Sequence, residues 1–480
     1  MSAKPHIAIL GAGPAALGAA YQLSRRGVAN VSLIERNGWV GGNAASLEIA
    51  GMRVDYGSHR LHPVCDPVVL GDIRNLLKGD LLDRPRHGRI RLRGRWIHFP
   101  LKPLDLLLKL PPSFAMGVAL DSLSALTRGV SGHKVQAPDE ASFASVLEAG
   151  LGRTICRDFY FPYARKIWGM EPDELSGAQA HRRVSAGSLG KMLRKVASML
   201  PGLKAPGSGR FLYPRHGYGQ ICDAYAAAAQ ASGATLHLNA GVKAVELVPG
   251  GRHVVRFEHE GNIESITADY IWSTIPITAL ARSLKPCPPS EYVCAAQKID
   301  FRAMLLIYLV LEQEQFSPYD AHYFPGLDIP ITRLSEPKNY SNGNGPRNVT
   351  ILCAELPCSP NDPVWSQGDE ELGQLVSDTL SRVGQPLRAR IQRVTTRRIR
   401  NAYPMYERGY ETHFNQLDGW MSELDGLLTF GRQGLFSHDN LHHALYMGYS
   451  AADCLEPNGS FNQGKWQSYR RIFETHVVED

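Results

Sequence analysis

Four groups of residues in this chain have types and spacings suited to chemistry. The first is Gly11-Ala12-Gly13-Pro14-Ala15-Ala16, with Glu35 placed 19 residues after Ala16. Glycine at 11 permits a tight turn, and glycine at 13 leaves no side chain against an approaching diphosphate. Alanine at 16 lets a helix pack closely on a strand. Free N–H groups at the helix start favour an anion, and an acid about 20 residues on suits a ribose hydroxyl. The spacing reads as a dinucleotide site, and the acid argues against a 2′-phosphate. The second group is Phe159-Tyr-Phe-Pro-Tyr163-Ala-Arg165-Lys166-Ile-Trp168, followed by Arg182-Arg183. It reads equally as an aromatic, basic anion cleft or as a core tryptophan flanked by solvated bases. The third is Arg84 to Arg95, six arginines in twelve residues. A charged strand edge is favoured there over a phosphate- or headgroup-facing surface. The fourth is Arg302, at the head of an apolar run. A buried arginine needs a partner, either a bound carboxylate or phosphate or a structural ion pair.

These residues need elements to hold them. Ile7 to Leu10 reads as a buried parallel strand, Pro14 to Arg26 as a helix, and Val31 to Ile34 as a second buried strand. Met52 to Tyr56 reads as a strand ending in the turn Gly57-Ser58-His59. Arg89, Arg91, Arg93 and Arg95 alternate, which puts them on one strand face with a turn at Arg93-Gly94. Pro111-Pro112 splits residues 100–127 into two short helical pieces. They either cap a pocket, the favoured reading, or lie in a membrane interface. Residues 128–140 and 203–210 read as loops, the latter as a crossing point between domains. Ser142 opens a helix. A helix over 221–231, a hairpin over 254–259 and 263–268, a buried strand over 303–311, a loop over 339–348 and a surface helix over 369–383 complete the reading.

A length of 480 residues implies two or more domains. With 44% hydrophobic and 20% charged residues the chain is an ordinary globular protein, not a disordered one. A net charge of +6 permits anionic substrates but does not point to nucleic acid. Eight scattered cysteines with no C-x-x-C pair indicate neither a zinc site nor a disulfide framework, so no metal is expected. A reduced, cytoplasmic location fits, with peripheral membrane contact through 100–127 as the variant. The N-terminus runs directly into the first strand, so no cleavable leader is expected. No second dinucleotide fingerprint appears.

Glu35-Arg36, Gly41-Gly42-Asn43-Ala44 and Tyr56-Gly57-Ser58-His59-x-x-His62 together resemble the FAD-dependent amine-oxidase-like superfamily. The resemblance is greatest to the branch holding UDP-galactopyranose mutase and the protoporphyrinogen-oxidase-like proteins. Thr274-x-Pro276, Tyr403-Pro404 and Gly431-Arg432-x-Gly434 extend it to the end of the chain. The resemblance implies an α/β, two-domain flavoprotein. A discontinuous Rossmann-like FAD domain would comprise 1–95, 211–285 and 396–480, with an inserted α+β substrate domain of 96–210 and 286–395. It implies FAD contacts at Gly11, Gly13, Pro14, Ala15, Ala16, Glu35, Arg36, Gly41, Gly42, Asn43, Gly57, Ser58, His59, Val242, Gly431, Arg432, Asn440 and Leu441. It implies substrate contacts at Arg165, Trp168, Arg183, Tyr213, Arg302 and Tyr403, with His59, Arg302 and Tyr403 catalytic. Two departures stand out. The mutases carry a catalytic arginine where this chain has Val184-Ser-Ala-Gly187, and many relatives carry an acid where it has His442. The favoured activity is therefore an oxidoreductase whose flavin N5 accepts a hydride from a small anionic substrate, a sugar nucleotide, glycosyl or porphyrin-like compound. The alternative is a non-redox flavoenzyme of the mutase type acting on a nucleotide sugar.

Overall fold

The computed structural model describes residues 4–101, 105, 108–130, 141–183, 209–343 and 345–478. The Val184–Gly187 stretch, the side chain of Arg183, residues 131–140 and most of the 203–210 loop lie outside the described residues.

The chain opens with β1 (His6–Leu10), α1 (Pro14–Arg26) and β2 (Asn30–Ile34). β1 and β2 pair in parallel, with Ile7 opposite Val31 and Ile9 opposite Leu33. Three later segments return to the same sheet. Its order is Leu427–Thr429, Tyr270–Ser273, β1, β2, Thr235–His237, all parallel. Because strand side chains alternate, this apolar sheet feeds two cores. Ile7, Ile9, Val31 and Leu33 face helices, among them α1, Gln220–Ala231 and Leu441–Asp453. Ala8, Leu10 and Ile34 face an antiparallel layer through Val245, Val255 and Phe257. A sheet covered on both faces is what continuous apolar strands require.

The contact between α1 and Leu441–Asp453 is unusually close. A Cβ on Gly448 would run into the Ala15 carbonyl and lie 2.6 Å from the Ala19 nitrogen. A Cβ on Gly18 would lie 2.9 Å from the Leu445 carbonyl. The helix Leu441–Asp453 is thereby locked against α1.

A second, seven-stranded sheet has the order Ile391–Pro404, Phe301–Leu311, Thr350–Cys358, Arg333–Ser335, Ala321–Tyr323, Gly88–Leu92, Arg95–Phe99. Two expected domain limits fall inside it. The limit at 95 cuts the 88–99 hairpin, and the limit at 396 cuts the strand Ile391–Pro404, whose register pairs Tyr403 with Arg302. Divided by sheet membership, the segments 88–95 and 396–404 go with the second sheet.

The arginine-rich hairpin turns at Arg93-Gly94, both at positive φ. Three of its charges are engaged within the fold, while Arg95 is exposed. Arg89 lies 4.0 Å from the Trp96 ring centroid and donates to Gln385, Arg91 pairs with Asp328, and Arg93 with Asp158. The helix Pro112–Val130 follows. Leu110 and Phe114 pack on Ile90, Leu92 and Ile97. Met116, Leu120 and Leu123 are exposed, so this face is not the buried cap that was expected. Among the described residues no helix is long and apolar enough to cross a membrane. Ser142 caps its helix as expected, its Oγ accepting from the Ser145 nitrogen at 3.1 Å.

Candidate functional site

The turn between β1 and α1 lies at the carboxyl edge of the parallel sheet, where ligands bind in folds of this kind. Gly11 adopts φ +96°, a conformation that a side chain would strain, and its N–H donates to the Ile34 carbonyl at 2.8 Å. Gly13 precedes Pro14 at the start of α1 and has no side-chain cap. A Cβ placed on Gly13 would meet nothing within 4 Å. The space beside the helix start is open, and N–H groups there are available to an anion. Glu35 ends β2. Its Oε2 accepts from the Ala12 nitrogen at 2.9 Å, and its Oε1 accepts from the Asn37 nitrogen and amide at 2.9 and 2.8 Å. The acid thus braces the loop and still retains acceptor capacity. Val242 is brought to this end of β2 because the Ala240 nitrogen donates to the Glu35 carbonyl. Arg36 is exposed.

Other segments converge on the same edge. The Gly41 nitrogen donates to the Ala12 carbonyl at 2.8 Å. Asn43 donates to the Asn401 carbonyl at 3.0 Å, as does Gln433 at 2.9 Å. Arg432 donates to the carbonyls of Ala402 and Asp439 at 2.7 and 2.9 Å. A Cβ on Gly431 would lie 2.7 Å from the Ala15 Cβ, so this closing segment touches the first turn of α1. Asn440 then caps the helix that begins at Leu441, whose side chain is buried. His442 stands where many relatives carry an acid. Burial, with His443, His62 and His476 adding to it, pushes its imidazole down to about 3, so it is neutral.

The Gly57-Ser58-His59 turn is held by a pair that sequence reasoning missed. The Ser58 nitrogen donates to Glu355 Oε1 at 2.7 Å, and Ser58 Oγ is hydrogen-bonded to the Tyr340 hydroxyl. Glu355 takes both forks of the Arg333 guanidinium at 2.9 Å each. The available signal was a single acid inside the apolar strand Thr350–Cys358. His59 donates from Nε2 to the Tyr56 carbonyl at 2.9 Å and stacks on Tyr218. Burial lowers its pKa, against the pull of Asp55 and Glu355, which leaves it neutral near pH 7.

On the substrate side, Arg302 and Tyr403 are cross-strand neighbours. The Tyr403 ring stacks on His438 at 5.2 Å between centroids, with the Arg432 guanidinium 5.6 Å from the Tyr403 centroid. Arg302 donates to the Ile167 carbonyl at 3.2 Å, and its guanidinium lies against Gly169. No carboxylate among the described residues forms an ion pair with it, and burial lowers its pKa.

Three expected substrate contacts are corrected. Trp168 is 2% exposed, in a core with Phe143, Leu147 and Leu175, and offers no stacking face. Tyr213 is 1% exposed, and its hydroxyl donates to Asp55 at 2.6 Å. Arg165 turns to the surface and pairs with Glu171 at 2.7 Å. Lys166 points elsewhere again, to the carbonyls of Phe324 and Ile331. Asp55, a second residue the sequence reading passed over, also accepts from Ser46 and from the Tyr218 nitrogen, both at 2.7 Å.

The open space at Gly13, the uncapped start of α1 and the closing segment at 431–441 fit a dinucleotide held along the sheet edge, with its diphosphate at α1. Several solved structures share this fold along nearly the whole chain. A crystal structure of reduced UDP-galactopyranose mutase matches with TM-score 0.81 at 21% identity, covering 99% of this chain and 100% of that one. A protein described as a putative protoporphyrinogen oxidase from Exiguobacterium sp. 255-15 matches with TM-score 0.69 at 18% identity, covering 94% and 98%. Cyclohexylamine oxidase from Brevibacterium oxydans IH-35A matches with TM-score 0.67 at 14% identity, covering 98% and 100%. Comparison with curated protein sequences finds no match. The family model for flavin containing amine oxidoreductases matches residues 17–418. The chain therefore belongs to the flavin containing amine oxidoreductase family and is an FAD-dependent enzyme.

Proposed function

We propose that the enzyme oxidises a small anionic substrate whose carboxylate or phosphate is held by Arg302. One observation carries this reading. Arg302 is a half-buried cation, on the strand beside Tyr403, with no described acid in ion-pair contact, Asp362 and Asp300 acting on it only from a greater distance. A charge in that setting is costly unless an anion joins it, and a guanidinium binds such anions bidentately. Arg333, by contrast, is already satisfied by Glu355. An electropositive site of this kind disfavours a simple cationic amine.

Bound FAD supplies a ring that accepts a hydride. The chain's own residues do the rest. The start of α1 binds the diphosphate, Glu35 faces the ribose, and the segment at 431–441 closes over the cofactor. Arg302 fixes the anionic end of the substrate, and Tyr403, braced by His438 and Arg432, orients it. The His59 nitrogen not engaged with Tyr56 is the acceptor for a proton, since the ring is neutral.

The non-redox reading, ring rearrangement of a nucleotide sugar, keeps its place because the mutase structure matches this chain end to end. An anaerobic experiment separates the two. Oxidised enzyme is mixed with a nucleotide sugar, a porphyrinogen and a primary amine. Bleaching of the flavin by one of the anions supports the proposal, and Arg302→Met then lowers kcat/KM by about 30- to 150-fold, the equivalent of about 2–3 kcal/mol of charge-assisted bonding. Turnover only by pre-reduced enzyme, with the flavin unchanged, supports the mutase reading. Bleaching by the amine alone, indifferent to Arg302, overturns both.

A further inference from the structure

Three side chains near the end of the fold converge on one point outside the substrate side of the pocket. Asp439 precedes the helix Leu441–Asp453, and its side chain is 0% exposed. Its Oδ2 accepts from Ser437 Oγ at 2.5 Å. Its Oδ1 has no hydrogen-bond partner among the described residues. Two imidazole nitrogens face that oxygen instead. His443 Nδ1 and His476 Nδ1 each lie 3.4 Å from it. The three ligand atoms are within 4.8 Å of one another. The rings of His443 and His476 lie nearly parallel, 4.2 Å apart.

These separations are too long for good N–H···O bonds, which run about 2.7–3.2 Å. They match the edge of a tetrahedron around a metal. Metal–ligand lengths of about 2.0–2.2 Å put neighbouring ligand atoms about 3.3–3.6 Å apart. A buried carboxylate oxygen with no well-placed donor is costly, and a cation at the centre of the three atoms would remove that cost. We propose that Asp439, His443 and His476 bind a divalent cation of the zinc type. Two imidazoles and one carboxylate are a donor set of borderline softness, which suits zinc and not the all-oxygen shells of calcium or magnesium. The fourth position falls to water. On binding, His443 gives up only a long 3.3 Å hydrogen bond from the Asn440 nitrogen.

The consequence is structural. His476 follows the helix Gln463–Phe473, near the end of the described chain. The metal staples that segment to the start of the helix that closes the dinucleotide site. The cysteine count gave no hint of this site, because it uses none.

The test is made on the full-length, FAD-loaded enzyme, purified without a polyhistidine tag or chelator. Elemental analysis against flavin absorbance is expected to give about one zinc per chain. Enzyme stripped with a chelator and titrated calorimetrically with zinc is expected to rebind it, and His476→Ala to weaken binding by about 100-fold or more. Cobalt added to stripped wild-type enzyme is expected to give the intense visible bands of tetrahedral coordination. That arm decides the matter if the variants fold poorly. No metal uptake by the stripped wild type, an octahedral cobalt spectrum, or uptake by a folded His476→Ala equal to the wild type's would each overturn the proposal in favour of a metal-free His–Asp–His cluster.

Discussion

Replacing Glu355 with leucine leaves the Arg333 guanidinium without its counter-charge. Arg333 is 14% exposed and Glu355 4%, so water cannot take over the role. Two bonds of 2.9 Å join the side chains, and Glu355 also accepts the Ser58 nitrogen at 2.7 Å. Removing one member of a buried pair costs about 3–5 kcal/mol, and stranding the Ser58 N–H adds about 1–3 kcal/mol. Glu355→Leu should therefore destabilise by roughly 4–8 kcal/mol. Arg333→Met alone should cost about 3–5 kcal/mol. The double variant removes both charges together and leaves only Ser58 unpaired, about 1–3 kcal/mol. The coupling in the cycle should then be about 5 kcal/mol or more. The assay is urea unfolding of flavin-free protein, followed by both circular dichroism and tryptophan fluorescence because a chain of several sheets need not unfold in one step. A cost below about 1 kcal/mol for Glu355→Leu would refute the reasoning, as would a double variant as unstable as the sum of the singles.

Two further outcomes follow from the packing and from one buried ring. Gly448→Val should force α1 and Leu441–Asp453 apart, because its Cβ meets backbone atoms of Ala15 and Ala19. A loss of about 3 kcal/mol or more and a fall in flavin retained through gel filtration are expected; full retention would show that the helices can slide apart without cost. His322 is buried beside Arg89, and burial first, then that guanidinium, pushes its imidazole from the usual 6.5 down to about 3. The unfolded chain takes up the proton first, so stability falls as pH drops from 6.5 toward 3, by about 1.4 kcal/mol per pH unit. His322→Phe should flatten the stability profile over that window, and an unchanged slope would show that other groups govern it.

The β1–α1–β2 unit was legible because every local rule agreed there: apolar runs of strand length, glycines at the turn, proline at the helix start and an acid at the end of β2. The hairpin turning at Arg93-Gly94 and the buried strand ahead of Leu311 were legible for the same reason. What failed was the inference from adjacency to a shared face. On the helix Phe161–Trp168 successive residues fan out by about 100°, so Arg165, Lys166 and Trp168 point to solvent, to two carbonyls and into a core. Tyr213 misled in the same way: an aromatic residue near a glycine turn is as easily a core hydroxyl serving Asp55. The Ser58–Glu355 bond and the Gly448 contact were out of reach because each joins segments far apart in the chain. Only the isolated acid in Thr350–Cys358 left a trace in the sequence.

The central claim is that the open space beside Gly13 is where FAD lies. Gly13 has ordinary negative φ, and a side chain there meets no protein atom within 4 Å. Gly13→Val should thus fold as the flavin-free wild type does, with the same circular dichroism and a midpoint within about 2 °C, yet carry no flavin absorption band after purification. A folded Gly13→Val that retains stoichiometric FAD would contradict the account.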